Sequence, residues 1–147
     1  MAQRNADAAL KARLAGHAGM QQRLGDLQVL LTLDEPVTRL ECFDISHTQG
    51  EATVASCIVF DNTGPRKADY RQFNIKGTKG GDDYAAMQQA LERRYKRLVA
   101  GEGQMPDILF IDGGKGQVAQ AMEVMAMYDI ASVRVVGIAK GTTRKAG

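Results

Sequence analysis

The chain has 147 residues, 19 basic and 17 acidic side chains and a formal net charge of +2, enough for one compact domain with a single core. So even a charge does not by itself announce a nucleic-acid binder, and no apolar stretch approaches the roughly 20 residues that cross a bilayer, which excludes a helical membrane protein. With no export signal in view, Cys42 and Cys57, both in apolar runs, are expected to be reduced, buried thiols of a cytoplasmic protein rather than a disulfide.

Residues 3–32 place Leu10, Leu14, Met20, Leu24, Leu27 and Leu31 at three- and four-residue steps, with a break near Gly16 and Gly19. The pattern predicts two short helices or one broken helix, ending at the Asp34-Glu35-Pro36 punctuation. Its narrow apolar stripe suits a helical leader, residues 1–36, that packs on something else. Residues 37–147 read as the domain proper.

There the character changes. RLECFDI (39–45), EATVASCIVF (51–60) and KADYRQFNIK (67–76) are rich in β-branched and aromatic residues and predict three strands. DNTGP between the second and third favours a tight turn, so the three form an antiparallel meander. From Asp82 the period becomes helical. Tyr84, Met87, Leu91, Tyr95 and Leu98 share one face, while Arg93, Lys96 and Arg97 lie away from it. AGEGQMP ends that helix, and a buried strand, DILFID, follows. A second helix, about Gln117 to Met127, turns Val118, Ala121, Met122 and Met125 inward, and VRVVGIA (133–139) supplies a last strand. The order implies an α/β fold: a mixed sheet, with a meander followed by βα crossovers, covered by helices.

Three acids stand out. Asp44 follows Cys42 and Phe43, Asp112 ends the buried strand, and Asp83 opens the first long helix. Each has a plain structural explanation: an Asx turn for Asp44, a helix cap or solvated strand end for Asp112, and a favourable first-turn charge for Asp83. Taken singly, these explanations outweigh function. Taken together, the balance moves. In one well-known topology the first strand of a meander and the strand after the first helix are neighbours, and Asp44 and Asp112 project side by side. Carboxylates converging at a sheet edge suit Mg²⁺ or Mn²⁺, which can position water and neutralise a phosphodiester's developing charge. Asp83 reaches the same point from the helix start.

Gly113, Gly114 and Gly116 let backbone pass close to a bulky ligand, and Lys115 offers a positive charge to a phosphate; an ordinary strand-to-helix turn explains the loop about equally well. It lacks the P-loop spacing. His47, near Asp44, reads as a loop histidine before a ligand or proton shuttle, and His17 as an exposed helix residue. Arg93, Arg94, Lys96 and Arg97 form a basic run that either grips a DNA backbone or is a solvated face. Arg66, Lys67, Arg71, Lys76 and Lys79 extend it into a rim around the acids.

The blocks ECFDISHTQGEATVASCIVF, YRQFNIKGTKGGDDYAAMQQALERRY, PDILFIDGGKGQ and GIAKGTTRKAG closely resemble the C-terminal endonuclease region of the UvrC family, the incision subunits of bacterial UvrABC excinucleases. The likeness runs from about Leu40 to Gly147, and FDIS, GDDYAAM and IDGGKGQ are highly specific to it. Residues 1–33 match more weakly. The resemblance implies an RNase H-like fold for residues 37–147 and metal-dependent hydrolysis of damaged double-stranded DNA 5′ of a lesion. It also implies partnership with UvrB, with UvrA acting upstream. The family's metal-binding acids fall on Asp44 and Asp112, with Asp83 a further acid, and Lys115 and the Gly113–Gly114 turn lie beside the scissile phosphate. A catalytic histidine of the family falls beyond Gly147 and is not matched by His47; the helix-hairpin-helix elements and the N-terminal nuclease half have no counterpart here. The chain is therefore expected to be an excised piece with little or no cutting activity of its own. Two rivals stand beside this reading. The Asp112–Gly116 sequence also fits the D-x-G-x-G loop of S-adenosylmethionine-dependent methyltransferases, and the domain could be a non-catalytic docking module for DNA or UvrB.

Overall fold

The computed structural model describes residues 19–47, 52–77 and 82–138. The helical pattern before Gly19, His17, Lys79 and the end of the last strand at Ala139 lie outside them.

Helix α1 (Met20–Leu30) begins beside Gly19, where the sequence breaks, and leads into strands β1 (Arg39–His47) and β2 (Thr53–Asp61). A two-residue bridge, β3 (Gly64–Pro65), and a 3₁₀ turn at Lys67–Asp69 precede β4 (Arg71–Asn74). The third strand is thus shorter than the 67–76 expected. The backbone N–H groups of Asp69 and Tyr70 donate to the carbonyls of Arg66 and Lys67, so the first half of that segment is wound up rather than extended. Helix α2 (Asp83–Val99), strand β5 (Ile108–Asp112), helix α3 (Lys115–Met127) and strand β6 (Arg134–Ile138) complete the order. Helix α3 starts two residues earlier than its apolar pattern announces.

The sheet runs β3-β2-β1-β5-β6, with β4 also pairing β2. β1 and β2 are antiparallel, as are β2 and β4, while β1–β5 and β5–β6 are parallel. This is the mixed α/β sheet expected, with the meander on one side and the crossovers on the other. Because strand side chains alternate, each strand feeds two cores. On one face Phe43, Cys57, Val59, Leu109 and Ile111 pack under α2 and α3 through Met87, Leu91, Tyr95, Ala121, Val124 and Met125. On the other, Leu40, Cys42, Phe60, Ile108 and Phe110 pack against Met20 and Leu24 of α1. Each of the buried Val, Leu, Ile, Phe and Met side chains contributes about 1.5–3 kcal/mol relative to exposure. The end of the leader is therefore part of the domain's packing. Cys42 and Cys57 are buried thiols that form no disulfide with each other, as expected.

Two inward assignments are corrected. Tyr84 and Met122 are more than half exposed, because α2 and α3 meet each other as well as the sheet. Arg94, Val124 and Gln117 take the inner positions instead. Among the described residues no helix is long and apolar enough to cross a membrane.

Candidate active site

The register of the parallel strands builds the site. Just before β5, one oxygen of the Asp107 carboxylate accepts from the backbone N–H groups of Thr38 (2.8 Å) and Arg39 (3.1 Å). The Asp107 N–H in turn donates to the Arg39 carbonyl at 2.8 Å. This clamp joins the start of β1 to that of β5, and the ladder then pairs Leu40 with Ile108, Cys42 with Phe110 and Phe43 with Ile111. Carried one residue beyond that ladder, the same register sets Asp44 beside Asp112. By the two-residue alternation both lie on the face of Cys42 and Phe110, the α1 face. β1 continues regularly to His47, opposite Thr53, so Asp44 is inside a strand and not in an Asx turn. The N-cap residue of α3 is Gly114, two positions after Asp112. Asp112 is buried and Asp44 half-buried.

Asp83 is the first residue of α2, but the cap is its neighbour: Asp82 Oδ1 accepts from the Ala85 N–H at 3.1 Å. Asp83 Oδ1 lies 2.8 Å from His47 Nε2, and His47 Nδ1 lies 3.1 Å from Thr53 Oγ1. His47 thus closes a strand rather than sitting in a loop. It shares the parity of Phe43, so this pair gathers on the α2 side of the sheet while Asp44 and Asp112 point to the other. Among the described residues, no group of three or more His, Cys, Asp and Glu side chains is placed to hold a metal ion. The strand register sets Asp44 near Asp112 on one face, and Asp83 pairs with His47 on the other.

The loop between β5 and α3 is tightly confined. A Cβ on Gly113 would stand 2.6 Å from Gln117 Cγ, and one on Gly116 would collide with the Tyr84 ring. Gln117, buried at 7% exposure, donates from Nε2 to the Asp83 carbonyl at 3.2 Å. Gln117 and Tyr84 together tie the start of α2 to the start of α3, a role that sequence reasoning missed by reading Tyr84 as core and Gln117 as merely the helix start. Lys115, the first residue of α3, is exposed.

The basic run divides. Arg93, Lys96 and Arg97 are exposed on α2, whereas Arg94 turns inward. Its Nη2 and Nε donate to the Glu41 carboxylate at 2.6 and 3.3 Å, Glu41 is 0% exposed, and Tyr95 Oη stands 3.4 Å from the same carboxylate. Arg94 is therefore withdrawn from any surface that meets DNA, contrary to the expectation from its charge. Burial by itself would lower the Arg94 pKa, but the hydrogen bonds and charge of Glu41 outweigh it and hold the guanidinium above its usual value. Burial first, and Glu41 second, push the Cys57 thiol and the Tyr95 phenol well up, so both stay neutral.

A family model described as the UvrC RNase H endonuclease domain matches residues 28–147. The chain belongs to that family. Its UvrC relatives include the UvrABC system protein C of Pseudomonas syringae pv. tomato, 58% identical over 97% of this chain and 24% of the relative. That of Methylococcus capsulatus is 58% identical over all of this chain and 24% of the relative. The chain thus spans about a quarter of the length of the curated relatives it matches. Among solved structures, a DNA complex of Ciona intestinalis endonuclease V is similar at a TM-score of 0.49 and 15% identity, over 69% of this chain and 45% of that one. The UvrC match covers the whole sheet and the Asp112–Gly116 loop.

Proposed function

We propose that the chain is the incision domain of a UvrC protein, hydrolysing a DNA phosphodiester 5′ of a lesion during nucleotide excision repair in the cytoplasm. Its substrate is damaged double-stranded DNA and its protein partner UvrB, with UvrA acting earlier. The observation that carries this reading is the parallel register of β1 and β5, which, extended one residue past Phe43 and Ile111, sets Asp44 and Asp112 side by side on one face. Adjacent strands run about 4.8 Å apart, and carboxylates at that spacing repel unless positive charge lies between them.

The donor set suits Mg²⁺ or Mn²⁺, hard cations that favour carboxylate oxygen. Asp44 and Asp112 are the residues that would hold such an ion, which when bound supplies charge neutralisation to a phosphodiester under attack. The rest is the work of the chain. Gly114, where a side chain would meet open space, admits a phosphate close to the backbone. Lys115 directs an ammonium towards phosphate oxygens. Asp83, steadied by His47 and by the Gln117 bond to its carbonyl, is a further acid on the α2 side of the sheet, apart from the Asp44–Asp112 pair.

The test is Asp44→Asn and Asp112→Asn in a full-length family protein carrying this domain. Each change removes charge and almost no volume. The endonuclease reading expects 5′ incision to fall to background with damaged-DNA and UvrB binding retained. The docking-module reading expects incision to persist and binding to weaken; that pattern would overturn the proposal.

A further inference from the structure

We infer that the cleft between β4 and the C-terminal half of α2 is a second DNA contact, a seat for the phosphodiester backbone several nucleotides from the scissile bond. The inference rests on the endonuclease reading for the identity of its ligand, and on the groove itself for its existence.

The groove has a volume of about 460 Å³ and is lined by Arg71, Phe73, Arg93, Lys96 and Arg97, with Glu102 at its rim. All four cations are exposed, and among the described residues none forms an ion pair with a carboxylate. That contrasts with Arg39, Arg66 and Arg94 near by, each of which is matched to Asp61, Asp69 or Glu41. Attraction of a basic helix end to the macrodipole accounts for Lys96 and Arg97. It does not account for Arg71, which comes from a strand, or for Arg93.

Two of the four are also held in place. Arg93 Nη1 donates to the Asn74 carbonyl at 2.8 Å, and its guanidinium lies 5.4 Å from the centroid of the Phe73 ring. Arg71 Nη1 donates to the carbonyls of Ala68 and Tyr70 at 3.0 and 2.7 Å. Each guanidinium keeps its remaining N–H groups for a ligand, in a planar fork whose orientation is already fixed. Such forks match the paired oxygens of a phosphate, and the ordering cost is largely met before binding. An acidic peptide is the weaker candidate. Its affinity would depend on apolar anchors in desolvated pockets, and the groove's aromatic residue, Phe73, is itself 8% exposed.

The position along the helix agrees. Asp83 opens α2 and Arg93 to Arg97 lie 10 to 14 residues on, about 15 to 21 Å at 1.5 Å per residue. A strand rising 3.4 Å per nucleotide and following α2 reaches the groove about four to six nucleotides from the loop at Gly113. Contacts of this type carry no sequence information. They suit a nuclease whose cut must be placed without regard to local sequence.

The experiment measures the affinity of the chain for an undamaged duplex as a function of salt. Lys96→Gln with Arg97→Gln should lower the slope of log K against log salt by about 1.8, at about 0.9 per phosphate contact. Arg93→Gln and Arg71→Gln should each lower it by about 0.9. Arg134→Gln, on the far edge of the sheet, should leave it unchanged, and thermal unfolding checks that each variant folds. An unaltered slope in the groove variants overturns the inference, even where Asp44→Asn abolishes incision as proposed above. The opposite pattern, a reduced slope with incision unaffected by Asp44→Asn, sinks the endonuclease reading and leaves the groove standing. Displacement of the duplex by poly-glutamate as readily as by a single-stranded DNA of equal charge would assign the groove to acidic protein and overturn the inference.

Discussion

Replacing Arg94 by Met strands a carboxylate. Glu41 is wholly buried and accepts two hydrogen bonds from Arg94; after the change its remaining polar neighbours are Tyr95 Oη at 3.4 Å, the Cys57 thiol at 3.7 Å and Arg39 at 3.9 Å. Removing one member of a buried pair costs about 3–5 kcal/mol. The residual Arg39 contact places this case at the lower end, about 3 kcal/mol, or a fall in Tm of about 6–12 °C for a chain of this size. The double variant Glu41→Leu, Arg94→Met removes both charges and should fall within about 1 kcal/mol of the parent, because well-packed apolar groups replace a buried ion pair at little cost. Urea unfolding of the four proteins in the cycle therefore expects a coupling energy of at least about 2 kcal/mol. A single-variant loss below about 1 kcal/mol, or no coupling, would mean that Arg94 behaves as an exposed ion pair, and the inward placement argued here would be wrong. Arg94→Met should also leave the salt dependence of DNA binding unchanged, which separates it from its neighbours Arg93 and Arg97.

Two further outcomes follow from the geometry. Asp82→Ala removes the cap on α2 and should cost about 1 kcal/mol in urea unfolding; Asp82→Asn, which keeps the accepting oxygen, should restore most of it. The hydrogen bond from Arg39 holds the Asp69 carboxyl below its ordinary range. A carboxylate whose folded pKa is depressed stabilises the fold fully above its unfolded value of about 3.9, and the contribution disappears as pH falls through the lower folded value. Asp69→Asn should therefore weaken stability at neutral pH and bring the two unfolding curves together near the acid limit; a constant difference at all pH values would refute that assignment.

Much of this was legible in the residues. The alternation in RLECFDI and TVASCIVF, the helical spacing after Asp82 and the apolar run before Asp112 set the element order, because each is long or regular enough for its period to decide its structure. What misled was charge. Arg94 lies three residues after Leu91 and four before Leu98, squarely on the inward stripe, and Glu41 has the parity of Phe43; the spacing marked both as buried, while their polarity suggested otherwise. Tyr84 and Met122 show the converse, apolar residues whose spacing fits the core but whose places border another helix and solvent. The 67–76 segment was overextended because Lys67–Asp69 carries no glycine or proline to announce its turn. At the candidate site, the adjacency of the strands that carry Asp44 and Asp112 followed from topology. The association of Asp83 with His47 depends on where a helix start meets a strand end, which no local pattern encodes.

The Asp107 clamp gives that pairing a built-in measuring rule. Arg39 is five residues before Asp44, and Asp107 is five residues before Asp112. From one backbone joint, two strands count off equal lengths and deliver an acid each. Loops around the sheet can lengthen, shorten or change composition without disturbing that count. A single residue inserted into or lost from either five-residue span cannot be tolerated in the same way, since it would swing one aspartate to the opposite surface of the sheet and leave its counterpart alone.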